Sequence, residues 1–444
     1  MQLHQVDCYY SSNGLKVGVH RLIEEEQYFT QGSVLDKIFP SNFELVPNTH
    51  ELFAVELAHG EYVSLSKKEL ITRSGFFARI DDKPTLHYKL CSGTPLEEIR
   101  AGKTIWVKSF FQANRFSTGY ATHSLFPYRG KFHPQLIKGI FNVTQVQEGD
   151  TVLDPMVGSG TTCVEARLMN FKSIGVDINP FCILISQAKS VGLNIDIEQF
   201  AELGDDESLL AQLQDLSGQA SNYDTIHSFL SAIKITKDVR TDSVLLLSFL
   251  DAMGYARRRK TGSLKELFSK VLERYITTIT SFQKNREALK IKLGSSDMHT
   301  GDALSLNIPD RSVDMIVTSP PYSFAIDYVE NDRPQLEFLG IDVDKLKSQT
   351  IGLQGKTKRE KITNYFNTMN QAIREMSRVL KPDKFCVIIV GSNEIQTGGI
   401  RHEQEFKAFA DQHDLVLRKE LVKSIQGIRN SMREEYVLFF QKQS

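Results

Sequence analysis

The chain has 444 residues, of which 41% are hydrophobic and 24% are charged. These values exclude a disordered or fibrous protein, and the length predicts two or three domains rather than one core. Lysine and arginine (53) balance aspartate and glutamate (54), which excludes a strongly basic nucleic-acid coat and leaves only local patches for such binding.

The cysteines and the N-terminus narrow the class further. The five cysteines are widely spaced and form no C-x-x-C pair, which argues against a disulfide framework and a zinc ribbon. Residues Met1–Ser12 lack the pattern of a secretory signal, and no apolar run reaches the roughly 20 residues of a bilayer span. We therefore expect a soluble protein of a reducing compartment, with no metal site and no membrane partner.

Residues 1–115 predict a small N-terminal α+β domain. Short apolar runs such as Glu51–Leu57 and Glu61–Leu65 are separated by Gly, Pro and Asn, which is typical of a partly β structure. This block contains no chemical motif, so target recognition, partner binding and a plain scaffold all stay open.

From Thr151 onward the pattern is that of an α/β sheet. Thr151–Leu153 and Ser173–Val176 predict two strands, each followed by an aspartate, with a glycine turn and a helix between them. Asn179 and Pro180 supply the cap and the first turn of the next helix. This order predicts the start of a doubly wound sheet.

Residues 191–295 interrupt the pattern and predict a helical insertion, a candidate target-recognition region. Residues 191–220 contain seven acidic and no basic residues, whereas residues 251–300 contain eleven Lys/Arg against five Asp/Glu. Leucine-rich stretches at Ser243–Leu250 and Leu264–Ile276 predict helices. Four basic residues are predicted to contact nucleic-acid phosphates, with a solvated helix face as the alternative: Arg257, Arg258, Arg259 and Lys260.

The α/β pattern resumes near Asp297. We predict a Rossmann-like doubly wound α/β sheet with an antiparallel C-terminal hairpin, in a catalytic domain built from residues 116–190 and 296–444. Its later elements are the strand Asp314–Val317, the helix Tyr365–Leu380 ended by Lys381-Pro382-Asp383, the strand Phe385–Val390, and an antiparallel pair, Leu415–Val422 with Glu435–Gln441.

The segment after the first strand predicts a ligand site, with a plain tight turn as the alternative. Its glycines let the backbone approach a ligand, and the helix that follows offers free N–H groups. Asp177 is placed to accept hydrogen bonds from ribose hydroxyls. Cys163 replaces the third glycine of a dinucleotide motif, and Asp154 favours a ligand with a cationic end, such as S-adenosylmethionine. The predicted contacts are Asp154, Pro155, Met156, Gly158, Ser159, Gly160, Thr161 and Thr162.

The tetrapeptide Ser319-Pro320-Pro321-Tyr322 predicts a catalytic loop. Its prolines fix a rigid loop that points carbonyl groups and the Ser319 hydroxyl into one small space. An exocyclic base amine is a poor nucleophile because its lone pair is delocalised, and acceptors on its two N–H groups would expose that lone pair. Tyr322 offers a ring on which a flipped base stacks. A Pro-Pro strand cap with Tyr322 in the core is the alternative.

Together these segments resemble the amino-methyltransferase family, which methylates adenine N6 or cytosine N4 in DNA. Its cofactor motif is similar to Asp154–Thr162 and its catalytic motif to Ser319–Tyr322, and with Phe126–Gln135 the resemblance covers most of residues 120–190 and 297–444. It implies S-adenosylmethionine as cofactor and double-stranded DNA as partner. It also implies a prokaryotic, cytoplasmic enzyme close to the nucleoid, with or without a separate restriction or defence partner.

The resemblance also implies roles for single residues. It places Asp177 on the cofactor ribose, Asp302 near the adenine, and Lys131 and Phe132 beside the methionine end, and we group Thr318 with them.

Two further inferences concern the substrate. In this family a serine at the first catalytic position favours cytosine N4, so Ser319 predicts cytosine. Asp327-Tyr328 and Arg333 resemble a recurrent continuation of the motif and are predicted near the substrate pocket, with a solvated surface pair as the alternative for Asp327 and Arg333. Lys356–Arg359 is a second candidate phosphate contact.

Three alternative functions stay open: an adenine-N6 DNA methyltransferase, an amino-methyltransferase of tRNA or other RNA, and a nucleic-acid-binding protein without catalysis. Carbon-5 methylation of cytosine is set aside because the chain contains no Pro-Cys pair, and zinc deamination because its histidine and cysteine motifs are absent.

Overall fold

The computed structural model describes residues 38–92, 119–128, 130–203, 208–258, 263–321, 327–391, 399–424 and 434–444.

The N-terminal block combines a small sheet with helices, as the sequence predicts. Its strands pair antiparallel in the order in which they occur along the chain. Its elements are β1 (Phe43–Leu45), α1 (Leu52–Ser64), α2 (Lys67–Arg73), β2 (Phe77–Ile80), β3 (Lys83–Pro84) and α3 (Leu86–Cys91).

The apolar runs that suggest β structure in this block lie instead in helix α1. Gly60 does not end the helix, because its missing side chain serves packing: a Cβ there would lie 2.6 Å from Val143 Cγ1 on the helix Pro134–Val143. Glu61, also in α1, is fully buried and accepts hydrogen bonds from Gly75 N (2.9 Å) and Asn142 Nδ2 (2.7 Å). The polar residue at the start of the second run is therefore a hydrogen-bonded core residue in the middle of a helix.

The main sheet has seven strands within the described ranges. In chain order they are β4 (Thr151–Asp154), β5 (Lys172–Asp177), β6 (Ser296–Thr300), β7 (Val313–Thr318), β8 (Leu380–Gly391), β9 (Leu415–Ser424) and β10 (Glu434–Lys442).

The strand order is β6-β5-β4-β7-β8-β10-β9, which confirms the predicted doubly wound sheet with its antiparallel hairpin. Strands β4 to β8 run parallel, and β10 is antiparallel to both of its neighbours. Every residue of β7 is buried, as expected for a central strand covered on both faces.

Helices cover both faces of this sheet. In chain order they are α4 (Pro134–Val143), α5 (Thr161–Leu168), α6 (Pro180–Val191), α7 (Ile197–Glu202), α8 (Leu209–Gln214), α9 (Ile226–Ala232), α10 (Val239–Arg258), α11 (Leu264–Leu289), α12 (Tyr328–Asn331), α13 (Arg333–Leu339), α14 (Val343–Gln349), α15 (Lys358–Val379) and α16 (His402–Asp411).

The alternation of side chains along the strands divides the core. Leu153 and Ile316 share a core with helices α15 and α16, whereas their neighbours Val152, Met315 and Val317 share one with α1 and α4. The N-terminal block therefore covers one face of the sheet.

Residues 191–289 are helical wherever the structure describes regular elements, and α10 and α11 contain the two predicted helical stretches. Buried leucines of α10, such as Leu246 and Leu250, share one core with Phe181 and Ile185 of α6. The insertion thus packs on the face of the sheet that helix α6 covers.

Two predicted boundaries near the C-terminus need correction. Helix α15 begins at Lys358, because Thr357 and Glu360 form a capping box seven residues before the predicted start. Strand β8 begins at Leu380 rather than at Phe385, so Lys381-Pro382-Asp383, which follows the end of the helix as predicted, lies in the irregular beginning of the strand, where the register shifts and Asp383 has a φ of +61°. In the described ranges, no helix combines the length and the apolar character needed to span a membrane.

Candidate active site

A cleft opens where the parallel strands β4, β5 and β7 end, at the edge where doubly wound sheets bind their ligands. Its empty space, part of which is open to solvent, is about 950 Å³. Predicted residues that line it are Lys131, Phe132, Pro155, Met156, Gly158, Ser159, Thr161, Asp177, Asp302, Ser319, Pro320 and Pro321.

Asp177 joins the glycine turn to the end of β5. Its Oδ2 accepts a hydrogen bond from Gly158 N (2.9 Å), and its Oδ1 accepts one from Asn179 N (2.9 Å). Burial raises the pKa of Asp177 to about 6, against the lowering effect of these two bonds. The carboxylate therefore holds the turn in shape while it faces the cleft.

Gly160 is required by packing rather than by the cleft. It adopts a φ of +80°, and a Cβ would lie 2.8 Å from Ser186 Cα on helix α6. The sequence predicts a ligand contact at Gly160, but the residue does not line the cleft. Its lack of a side chain brings α5 and α6 together.

Asp154 connects the glycine turn to the catalytic loop. It is fully buried, accepts hydrogen bonds from Thr162 Oγ1 (2.7 Å), Thr318 Oγ1 (2.8 Å) and Met156 N (3.2 Å), and burial raises its pKa to about 6. The sequence predicts that Asp154 faces a cationic ligand group, but Asp154, Thr162 and Thr318 all lie behind the cleft wall. These side chains position the wall of the cleft.

The catalytic loop is anchored at both ends. Thr318 is bound by Asp154, and Tyr365 of α15 donates a hydrogen bond to the Pro321 carbonyl oxygen (2.9 Å). Ser319 and Pro320 between these anchors line the cleft. Tyr322 lies outside the described residues.

The segment before α4 closes another side of the cleft. Lys131 Nζ donates to the His123 carbonyl oxygen (2.9 Å), and burial lowers the pKa of Lys131. The ring of His123 is itself held by Glu165 of α5, with Nε2 2.7 Å from Oε1. This side of the cleft is therefore fixed to the helix that follows the glycine turn.

Two tyrosines stand at the cleft: Tyr328, which the sequence places near the substrate pocket, and Tyr128, to which it assigns no role. Tyr128 and Tyr328 stack with ring centroids 6.3 Å apart and an interplanar angle of 9°. Tyr128 lies inside the segment that resembles the family, and Tyr328 directly follows Asp327, so proximity to those motifs is the signal that identifies them.

Other lining residues were also missed. Several of them lie next to motif residues in the sequence. No sequence pattern indicates Gln349–Ile351, because the packing of helix α14 brings them to the cleft. The missed residues are Tyr128, Gly130, Val157, Ile178, Asn179, Cys182, Ala303, Val329, Gln349, Thr350 and Ile351.

A second, more polar cavity lies on the other side of the tyrosine pair. The helical insertion contributes to its wall through Asp251 and Gly254 of α10. Its lining residues are Phe126, Pro127, Tyr128, Asp251, Gly254, Tyr328, Glu330, Asn331, Asp332, Pro334 and Gln335.

The predicted nucleic-acid contacts have different placements. Asp327 caps α12 by accepting a hydrogen bond from Glu330 N (2.8 Å) and pairs with Lys347 (3.0 Å). Arg333 pairs with Glu330 (2.8 Å) and Glu337 (3.3 Å), so neither residue lines the cleft. The side chains of the basic cluster lie outside the part of the chain that the structure describes. The cluster consists of Arg257, Arg258, Arg259 and Lys260.

The acids and histidines of the described residues do not form a metal site. No group of three or more His, Cys, Asp or Glu in those ranges is arranged to hold an ion.

Comparison with known proteins identifies a family and individual relatives. The family model for N6/N4 DNA methylases matches residues 41–188 and 313–444. The Type II methyltransferase M.BsoBI of Geobacillus stearothermophilus is 21% identical over 319 residues, which cover 58% of this chain and 61% of that protein. The Type II methyltransferase M.MjaII of Methanocaldococcus jannaschii is 30% identical over 174 residues, covering 35% and 32%.

A shorter similarity extends to an RNA enzyme. The tRNA (guanine(10)-N2)-dimethyltransferase of Methanocaldococcus jannaschii is 38% identical over 72 residues, which cover 16% of this chain and 19% of that protein. The chain thus spans less than two thirds of the length of each of these curated relatives.

Proposed function

The chain belongs to the N6/N4 DNA methylase family, and from this premise we propose that it transfers a methyl group from S-adenosylmethionine to an exocyclic amino nitrogen of a flipped DNA base. The observation that carries this proposal is the shared cleft: the glycine turn and Ser319–Pro321 line one space, and Asp154 bonds to the elements behind both.

The chemistry of the lining fits this cofactor. Asp177 offers carboxylate oxygens for ribose hydroxyls, the exposed Asp302 suits the adenine amine, and Ile178, Val329 and Ile351 supply apolar surface for its ring. Lys131, Phe132, Pro155, Met156, Gly158, Ser159 and Thr161 are then left for the methionine end. When bound, S-adenosylmethionine supplies an electrophilic methyl group.

The catalytic loop would prepare the nitrogen for that methyl group. Ser319 Oγ accepts one N–H of the base amine and the Pro320 carbonyl accepts the other, so the lone pair turns out of conjugation and toward the cofactor. Because both ends of the loop are anchored, by Asp154 and Tyr365, these acceptors need little reorganisation. Tyr322 remains the predicted stacking partner of the base, and the faces of Tyr128 and Tyr328 support stacking at the same cleft.

We propose cytosine N4 as the target in preference to adenine N6. The support is Ser319, whose single hydroxyl stands where family members acting on adenine carry an aspartate or asparagine. The similarity to the two Type II methyltransferases does not distinguish the two bases.

We propose the helical insertion, residues 191–295, as the target-recognition region. Asp251 and Gly254 line the second cavity, which adjoins the cleft across Tyr128 and Tyr328, so an insertion residue stands close to where the base would enter. The N-terminal block covers the sheet and is proposed as a scaffold. Cytoplasmic action on the nucleoid, with a separate restriction or defence partner, stays a prediction.

A second candidate function is methylation of an amino group in RNA. It is supported by the similarity to the tRNA enzyme, which covers 16% of the chain.

One experiment tests both candidates. The purified protein is incubated with S-adenosylmethionine labelled on its methyl group and with genomic DNA or total tRNA, and the nucleosides are separated by mass spectrometry. We expect labelled N4-methylcytosine from DNA. Labelled N6-methyladenine would overturn the base assignment, and label in tRNA alone would overturn the DNA substrate.

A further inference from the structure

A cluster of positive charge stands where helix α15 begins. Lys356, Lys358 and Arg359 are exposed and Lys361 is half-buried; these four residues are called the basic tip. None of their side chains has an ion pair with any residue that the structure describes. The acid among them, Glu360, is occupied, because its carboxylate accepts hydrogen bonds from Lys356 N (2.8 Å) and Thr357 N (3.3 Å).

The basic tip differs from the cations on the neighbouring helices. Lys347 pairs with Glu330 (2.7 Å) and Asp327 (3.0 Å), and Arg333 pairs with Glu330 (2.8 Å). Those charges are neutralised within the protein, whereas the basic tip keeps a positive field in a chain whose formal net charge is -1. Such an isolated patch is suited to an anionic partner.

The basic tip is also tied to the catalytic loop. The chain that leads into it passes along the cleft at Gln349–Ile351, and Tyr365, on the same helix, donates its hydrogen bond to the Pro321 carbonyl (2.9 Å). Lys358 and Tyr365 are seven residues apart, so they are separated by about 10 Å along the helix axis. One rigid helix therefore carries both the free cations and the anchor of the loop.

We propose that the basic tip binds phosphates of the DNA strand that carries the target base. The inference rests on the proposed function. Contacts of this kind set the register of the strand and carry no sequence information, so the basic tip positions the base without choosing it.

The test compares two triple variants with the wild-type protein. The first, Lys356→Gln, Lys358→Gln and Arg359→Gln, removes three charges from the basic tip. The control, Lys172→Gln, Arg311→Gln and Arg374→Gln, removes three exposed charges: two from the opposite edge of the sheet and one from the far part of α15.

The Kd for a fluorescein-labelled DNA duplex of mixed sequence is measured by anisotropy between about 50 and 200 mM salt, a range in which phosphate contacts dominate. We expect the basic-tip variant to bind more weakly, with a log Kd against log salt slope shallower by about 2 to 3, since each contact contributes roughly 0.9. The control should match the wild type, and the affinity of all three proteins for S-adenosylmethionine should be equal.

Equal slopes in the two triple variants would overturn the inference. A basic-tip variant that loses affinity for labelled tRNA but not for the duplex would overturn the assignment to DNA. If the wild-type protein binds the cofactor but labels no DNA, the proposed function fails, independently of the slopes.

Discussion

The two halves of the cleft are built in different ways. In the cofactor half, Gly158 and Asn179 lie close to Asp177 in sequence, and the backbone N–H of each donates a hydrogen bond to the Asp177 carboxylate. In the catalytic half, the loop at Ser319–Pro321 is shaped by Tyr365, which is 44 residues away from the carbonyl it binds. Local sequence therefore determines the first half, and long-range packing determines the second.

Of the changes that distinguish the two halves, a substitution at Ser319 should lower kcat the most. Ser319→Ala removes an acceptor for the base amine and leaves the cofactor half intact. We expect kcat to fall by roughly 10² to 10³-fold, the usual result of deleting one preorganised polar group. The Kd for S-adenosylmethionine, measured by calorimetry, should not change. Activity equal to the wild type would contradict the catalytic role.

The reciprocal effect is expected at Asp177. Asp177→Ala removes the carboxylate proposed to bind the ribose and should weaken the affinity for the cofactor by about 10 to 100-fold, since a hydrogen bond to a charged group contributes about 1.5–3 kcal/mol. At saturating cofactor, kcat should recover most of its value. An unchanged Kd would rule out the ribose contact.

Sequence alone predicts the cofactor half well for a physical reason. A strand, a glycine turn and a capped helix are local structures, and Asp177 follows its strand directly, so its position at the sheet edge is determined by the strand. Asp154 shows the limit: sequence places it beside the turn but does not tell which way its side chain points, and it points into the protein.

The catalytic half is only partly predictable. The tetrapeptide identifies the loop, but Gln349–Ile351 and Tyr365 reach it through the packing of α14 and α15, which no local pattern encodes. Arg333 shows a second limit: the sequence leaves open whether it meets substrate or forms a surface pair, and in the structure it pairs with Glu330 and Glu337.

Tyr365 provides a smaller and sharper test of the catalytic half. Tyr365→Phe removes only the hydroxyl that binds the Pro321 carbonyl and keeps the buried ring. Because one neutral hydrogen bond contributes about 0.5–1.5 kcal/mol, we expect kcat to fall about 3 to 10-fold while KM for both substrates stays constant.

The matched control for this change is Thr85→Val. Thr85 is also fully buried and its hydroxyl donates to the Phe77 carbonyl oxygen (2.6 Å), but it lies in the N-terminal block, away from the cleft. It should lower the free energy of unfolding by a similar amount without changing kcat. If both variants reduced kcat equally, the effect of Tyr365 would be one of stability alone.

The smallest expected effect is a pH dependence of the cofactor half. Burial raises the pKa of Asp177 to about 6, so the carboxylate gains a proton as pH falls through that value and loses an acceptor for the ribose. Tyr128 and Cys182, which face it, do not titrate there, because burial raises the pKa of both well above their ordinary values. We expect the affinity for S-adenosylmethionine to be about fourfold lower at about pH 5.5 than at pH 7.

Loss of folding would not explain this decrease. The pKa of Asp177 and that of Asp154 are both raised above the unfolded value, so their contribution to stability is fully present at low pH and is lost as pH rises through about 6. The unfolding temperature, measured over the same range, should therefore not fall on account of these groups. Asp177→Asn separates the two carboxyls: the pH step in affinity disappears if it belongs to Asp177 and persists if it belongs to Asp154, in which case acid weakens the wall behind the cleft rather than the ribose contact.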